Sequence, residues 1–139
     1  MQPLPPGAPG WIRSWPVERV TGIGGFFFRA RDPEALKVWY QERLGVKTVP
    51  KSYEEEPWRQ QEGDTAFAPF ELDSQMIGPP EHTWMLNFRV DDLDAMVEQL
   101  RAAGEEVEVD PERYPNGRFA ALRDPEGNGI QLWQQMAPP

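Results

Sequence analysis

A chain of 139 residues with 39% apolar and 12% aromatic side chains suits one ordinary domain, or two small modules sharing a core. A net charge of −9 argues against nucleic acid and anionic lipid as partners, because their phosphates would be repelled. With no cysteine, disulfides, thiolate metal sites and a cysteine nucleophile are excluded, and a cytoplasmic location is expected. The acid excess reads first as solubility and second as attraction for a cationic small molecule. No apolar run reaches the roughly 18 residues of a membrane span. The N-terminus lacks the basic-then-apolar pattern of a secretory signal.

Residues 1–18 form an arm rich in proline and glycine, which cannot supply ladder donors and has little to bury. Trp11 and Trp15 close it and are expected to pack on the body or on a second subunit. A strand follows over 20–31, then a helix over 33–44. Asp32 is its cap, Pro33 lies in its first turn, and Gly45 stops it. Leu36, Trp39 and Tyr40 face inward. A strand begins over 46–49, an acidic loop spans 50–57, and a hairpin joins 58–61 to 65–72 through Glu62-Gly63-Asp64. Pro69 suits an edge or a bulge. Gly78-Pro79-Pro80 is the strongest break in the body of the chain.

Beyond it, Trp84, Leu86, Phe88 and Val90 alternate with Met85, Asn87 and Arg89, the mark of a strand with one apolar face. Asp92 caps a helix over 93–103, on which Leu93, Met96, Val97 and Leu100 recur at helical spacing. Strands over 105–109, 118–123 and 130–133 complete this half, the last two joined by a turn at Asp124-Pro125-Glu126-Gly127-Asn128. Proline and glycine explain that turn without a catalytic role.

The chain states one pattern twice, sixty residues apart: Phe28 matches Phe88, Arg29 matches Arg89, Asp32 matches Asp92 and Ala35 matches Ala95. Each half reads β-α-β-β-β. One helix covers one face of such a unit, so the other face needs a partner. The expected architecture is α+β: two βαβββ modules, 19–78 and 83–136, joined by a linker at 79–82. They would pair into a curved mixed sheet around a central cleft, helices on the outer face.

Phe28-Arg29-Ala30-Arg31-Asp32-Pro33-Glu34-Ala35 with Trp39-Tyr40 and Leu44-Gly45 carries a resemblance. So do Phe88-Arg89-Val90-Asp91-Asp92-Leu93-Asp94, and Asp124-Pro125-Glu126-Gly127-Asn128 with Ile130-Gln131-Leu132-Trp133. Over about residues 20–135 the chain resembles the vicinal oxygen chelate superfamily, which includes glyoxalase I, extradiol dioxygenases and bleomycin resistance proteins. Its small glyoxalase-like members are the nearest in kind. The resemblance implies a metal held from the concave face, at one position in the first and one in the last strand of each module. Those positions fall on Gly25, Met85 and Gln131, with the fourth on Ala68 or Phe70. A divalent metal needs His, Glu or Asp there, and one neutral amide oxygen will not hold it. No metal and no cofactor are therefore expected.

Alternation assigns Gly25, Phe27, Arg29, Met85, Asn87, Arg89, Gln131 and Trp133 to the cleft face, and Phe26, Phe28, Ala30, Leu86, Phe88, Val90, Ile130 and Leu132 to the helices. Trp58 and Phe67 join the cleft set. Phe27, Trp58, Phe67, Met85 and Trp133 either line a pocket for a flat or apolar ligand or fill a solid core. Asn87 and Gln131 favour the pocket, since a solid core would strand their amides. Arg29 and Arg89 either grip a carboxylate or phosphate, or pair with nearby acids such as Asp32 and Asp92. His82, the only histidine, is either a base or ligand at the cleft mouth or a solvated loop residue, the second being the simpler reading. Glu71, Asp73 and Glu54-Glu55-Glu56 read as solvated loop, or as a surface for a cationic ligand.

The function expected is that of a metal-independent small-molecule-binding protein of the glyoxalase/bleomycin-resistance type, partnered by an unidentified small molecule and a second copy of itself. The alternatives are a lyase, isomerase or dioxygenase of the same superfamily using a displaced or unusual metal site or no metal, and a structural or regulatory dimer without ligand.

Overall fold

Two aspartates start the two helices. Asp32 Oδ1 accepts from the Ala35 backbone N–H at 3.1 Å and opens helix α1, Pro33–Leu44. Asp92 Oδ1 accepts from Ala95 N–H at 3.0 Å and opens helix α2, Leu93–Ala102. Each cap satisfies an orphan donor and stabilises its helix by about 1 kcal/mol. Gly45 stops α1 in the left-handed conformation, φ 70°. The computed structural model describes residues 18–48 and 52–136. The arm with Trp11 and Trp15 lies outside them, as does Val49.

Four strands accompany the helices: β1 Leu86–Arg89, β2 Glu108–Val109, β3 Arg118–Arg123 and β4 Gly129–Gln134. They form one mixed sheet in the order β1-β4-β3-β2, with β1 parallel to β4 and the other neighbours antiparallel. The architecture is α+β. Alternation along β3 and β4 turns Ala120, Leu122, Ile130 and Leu132 to one face, all buried. Leu93, Val97 and Leu100 of α2 cover that face, and Leu36, Trp39 and Tyr40 of α1 join the same cluster. Full burial of each such aliphatic side chain stabilises the fold by roughly 1.5–3 kcal/mol.

The first half departs from the expected pattern. Residues 20–31, 46–48, 58–61 and 65–72 are not in strands, and Phe27 and Phe67 are 86% and 85% exposed. A strand needs a ladder partner and a covered face. Here the apolar stripe of α1 is committed to the second-half core, and of the expected first-half strands only Phe28, Ala30 and Val46 reach that packing. Strand β2 is also shorter than expected. Residues 105–107 are tied to the helices instead: Glu105 N–H donates to Leu100 O at 3.0 Å, and Val107 O accepts from Arg101 Nη2 at 2.8 Å.

Candidate functional site

The sheet face opposite the helices is a grid set by strand register. One row is Asn87, Gln131 and Ala121, and the next is Arg89, Trp133 and Phe119. In the first row Asn87 Nδ2 donates to Gln131 Oε1 at 2.7 Å. In the second, the Trp133 and Phe119 rings are parallel within 3°, their centroids 6.3 Å apart. Trp133 Nε1 donates to Asn116 O at 2.8 Å, which fixes the indole in its plane. Gly117 makes room for it: a Cβ there would sit 2.2 Å from Gln134 O and 2.7 Å from Trp133 Nε1.

This face floors an open cleft of about 1150 Å³. Met85, Asn87, Arg89, Gln131 and Trp133 line it, as do Trp58 and Phe67 from the first half. Gly25, Phe27 and Arg29 are exposed and not among its lining residues. Phe26 and Phe28 instead pack on Trp84, at centroid distances of 5.0 and 5.2 Å, and Phe28 meets Tyr40 edge-on. Of the Phe-Phe-Phe run, Phe28 meets α1 as expected, Phe26 lines the cleft instead of facing the helices, and Phe27 faces solvent.

Arg89 lines the cleft and bonds a backbone carbonyl rather than a nearby acid. Its Nη2 donates to Gln61 O at 2.9 Å, pinning the 61–64 loop beside the cleft. Gln135 Nε2 donates to Asp64 Oδ2 at 2.9 Å and holds the loop's other end. The Arg89 guanidinium fills the space over Gly63, where a Cβ would collide with it. Glu62, Asp64, Glu71 and Asp91 also line the cleft, against Arg59 and Arg89, so its rim carries more acid than base. The expected clusters contributed only Glu71 to it. His82 stands half-buried in its loop at the cleft edge, with Nδ1 3.4 Å from Arg123 Nη1.

The Asp124–Asn128 turn does more than reverse the chain. Glu126 reaches the start of α1, where Oε1 accepts from Arg31 N–H at 2.6 Å and Oε2 from Asp32 N–H at 3.0 Å. These two donors hold the Glu126 carboxyl below its ordinary range. Asp124, 4% exposed, accepts from Tyr40 Oη, the Glu126 and Asn128 backbone N–H groups and Asn128 Nδ2. The turn therefore clamps the first-half helix to the second-half sheet. Nothing local in the sequence signals this, because the partners lie more than eighty residues apart.

The residues at the metal positions implied by the resemblance do not fit an ion. Gly25, Met85, Ala68 and Phe70 offer no hard or imidazole donor, and the Gln131 oxygen already accepts from Asn87. Among the described residues, no three His, Asp or Glu side chains converge elsewhere. No helix among them is long and apolar enough to cross a membrane.

The model of the family described as the Glyoxalase/Bleomycin resistance protein/Dioxygenase superfamily matches residues 22–132. The chain belongs to that superfamily. It is 34% identical over 131 residues to the anthracycline biosynthesis protein DnrV of Streptomyces peucetius, covering 91% of this chain and 41% of DnrV. It is 44% identical over 57 residues to a Mycobacterium tuberculosis protein named as a glyoxylase, CFP32, covering 40% of this chain and 22% of CFP32. The chain thus spans well under half the length of these curated relatives. Among solved structures, it resembles TnmS3, an antibiotic binding protein from Streptomyces sp. CB03234, at TM-score 0.56 and 22% identity. That match covers 86% of this chain and 99% of TnmS3. A lactoylglutathione lyase from Agrobacterium tumefaciens gives TM-score 0.54 at 23% identity, covering 84% of this chain and 95% of the lyase. At such identities these likenesses concern the fold.

Proposed function

We propose that this superfamily member binds a small planar molecule in its cleft and needs no metal to do so. One observation carries the reading: of the positions where a metal-dependent relative needs donors, this chain keeps a polar side chain only at Gln131, and that amide is bonded to Asn87 beside a parallel-stacked tryptophan. A stacked indole held by a backbone acceptor is a preorganised platform for a flat ring. The acid-rich rim suits a ligand with a cationic substituent. Met85, Asn87, Arg89, Gln131 and Trp133 would contact it from the floor, and Trp58 and Phe67 from the wall. Gly25, Phe27 and Arg29 would join only if the first-half strand moved onto the sheet.

The printed names of two relatives, an anthracycline biosynthesis protein and an antibiotic binding protein, support a drug-like aromatic ligand. We further propose that the chain works in the cytoplasm with a second copy of itself. Strand β1 lies at the sheet edge, and its backbone donors are available to the extended first-half segments of that copy. Such pairing would complete the two βαβββ modules, 19–78 and 83–136, around the cleft.

Titration with an anthracycline tests the reading, following tryptophan quenching before and after dialysis against a chelator. Saturable binding, unchanged by chelation and weakened at least about tenfold by Trp133→Ala, is expected. Stoichiometric metal in the purified protein, or binding abolished by the chelator, overturns it. Light scattering across a dilution series reports the second copy.

A further inference from the structure

The Asn87–Gln131 pair has hydrogen-bonding capacity left over. Each carboxamide carries two N–H donors and one carbonyl oxygen. Among the described residues their one side-chain bond is the one between Nδ2 of Asn87 and Oε1 of Gln131. This leaves the Asn87 oxygen as an open acceptor, with the Gln131 NH2 and the second Asn87 N–H as open donors. Flipping both amides preserves the pattern: a free carbonyl oxygen on one residue and a free NH2 on its neighbour.

The neighbours keep the pair accessible from the cleft. Ala121, next in the row, is too small to cover Gln131. Trp133, two residues along β4 on the same face, spends its only donor on Asn116. The indole therefore offers only its face to a ligand, and the polar recognition falls to the amide pair.

We propose that Asn87 and Gln131 act together as a specificity dyad, reading a hydrogen-bond acceptor and a donor carried on one edge of a flat ligand. This rests on the cleft-binding reading above and adds the ligand chemistry: a fused aromatic ring with a carbonyl beside an N–H or O–H, as in a lactam. A ring lacking either group strands one member of the dyad and binds more weakly.

Three flat probes of similar shape test it: 2-quinolone, N-methyl-2-quinolone, which lacks the donor, and naphthalene, which lacks both donor and acceptor. Each is titrated at neutral pH into the 15N-labelled full chain, and affinities are read by NMR. The expected result is that 2-quinolone binds about fivefold tighter than either relative. It should also shift the side-chain NH2 signals of Asn87 and Gln131 by more than naphthalene does. In Asn87→Ala and Gln131→Leu the preference should fall to about onefold while naphthalene binding is kept. If Gln131→Leu fails to fold, the exposed position of Asn87 still permits the first variant. Equal binding of all three probes overturns the dyad alone. Binding of none overturns both the dyad and the cleft reading. A purely structural amide pair would lower thermal stability in both variants and leave probe preference unchanged, which also overturns the proposal.

Discussion

The Tyr40 hydroxyl donates to Asp124 Oδ2 across 2.7 Å, joining the first-half helix to the turn between β3 and β4. Burial first, then the Asp124 carboxylate, pushes the phenol well above its ordinary value, so it remains a protonated donor. Tyr40→Phe removes that donor from a buried carboxylate and is expected to cost about 2 kcal/mol. Asn128 Nδ2 still serves the same oxygen at 2.7 Å and limits the loss. Urea unfolding checks this. A change within experimental error would mean that the bond contributes nothing net.

Glu126 gives the fold an acid-sensitive joint. Its folded-state pKa is depressed by the N–H groups of Arg31 and Asp32. A depressed carboxylate contributes stability that is fully present above its ordinary 4.5 and is lost as pH falls through the lower folded value. Glu126→Gln should therefore melt earlier than the parent at neutral pH. The gap should narrow as pH falls below about 4.5. Melting curves across this range test the sign. A gap that widens in acid would refute the assignment.

Gly117, at φ 139°, sits where only glycine is comfortable and where a Cβ would strike Gln134 O. Gly117→Ala is expected to destabilise by about 2–3 kcal/mol. It should also shift the tryptophan emission, because Trp133 is anchored to the preceding residue. Unchanged emission together with unchanged stability would contradict the geometry.

Arg89→Ala should leave global stability nearly intact while freeing the 61–64 loop, whose Gln61 carbonyl it holds. Amide hydrogen exchange across residues 58–66 is the measurement, with faster exchange expected there and little change in β3. Equal protection in parent and variant would remove Arg89 from this role.

Both helices were legible in the sequence because their signals are local. Asp32, Pro33 and Gly45 bracket one, and Asp92 with the Leu93–Val97–Leu100 stripe marks the other. Strands β3 and β4 were legible from alternation, and so was the outward set of Asn87, Arg89, Gln131 and Trp133. Pairing was not legible, because it depends on partners far along the chain. Residues 20–31 and 65–72 have strand composition, yet among the described residues no ladder forms there. The same limit hid the stacking of Phe119 on Trp133, which follows from register, and the place of the 61–64 loop at the cleft, which follows from the reach of Arg89. Family membership was carried by the repeated strand-to-helix motif, which needs no tertiary knowledge.

The clamp at α1 has no mirror image. Sixty residues from Tyr40 stands Leu100, which has no hydroxyl to give, and Ala66 stands where Glu126 has its counterpart. Asp64, the counterpart of Asp124, bonds Gln135 instead. The two halves of this duplicated pattern are thus unequal in allegiance: residues 33–44 lean on the C-terminal sheet, which owes them no equivalent fastening. Whatever loosens the 124–128 turn therefore also unmoors the earlier helix, which hangs from Glu126 and Asp124.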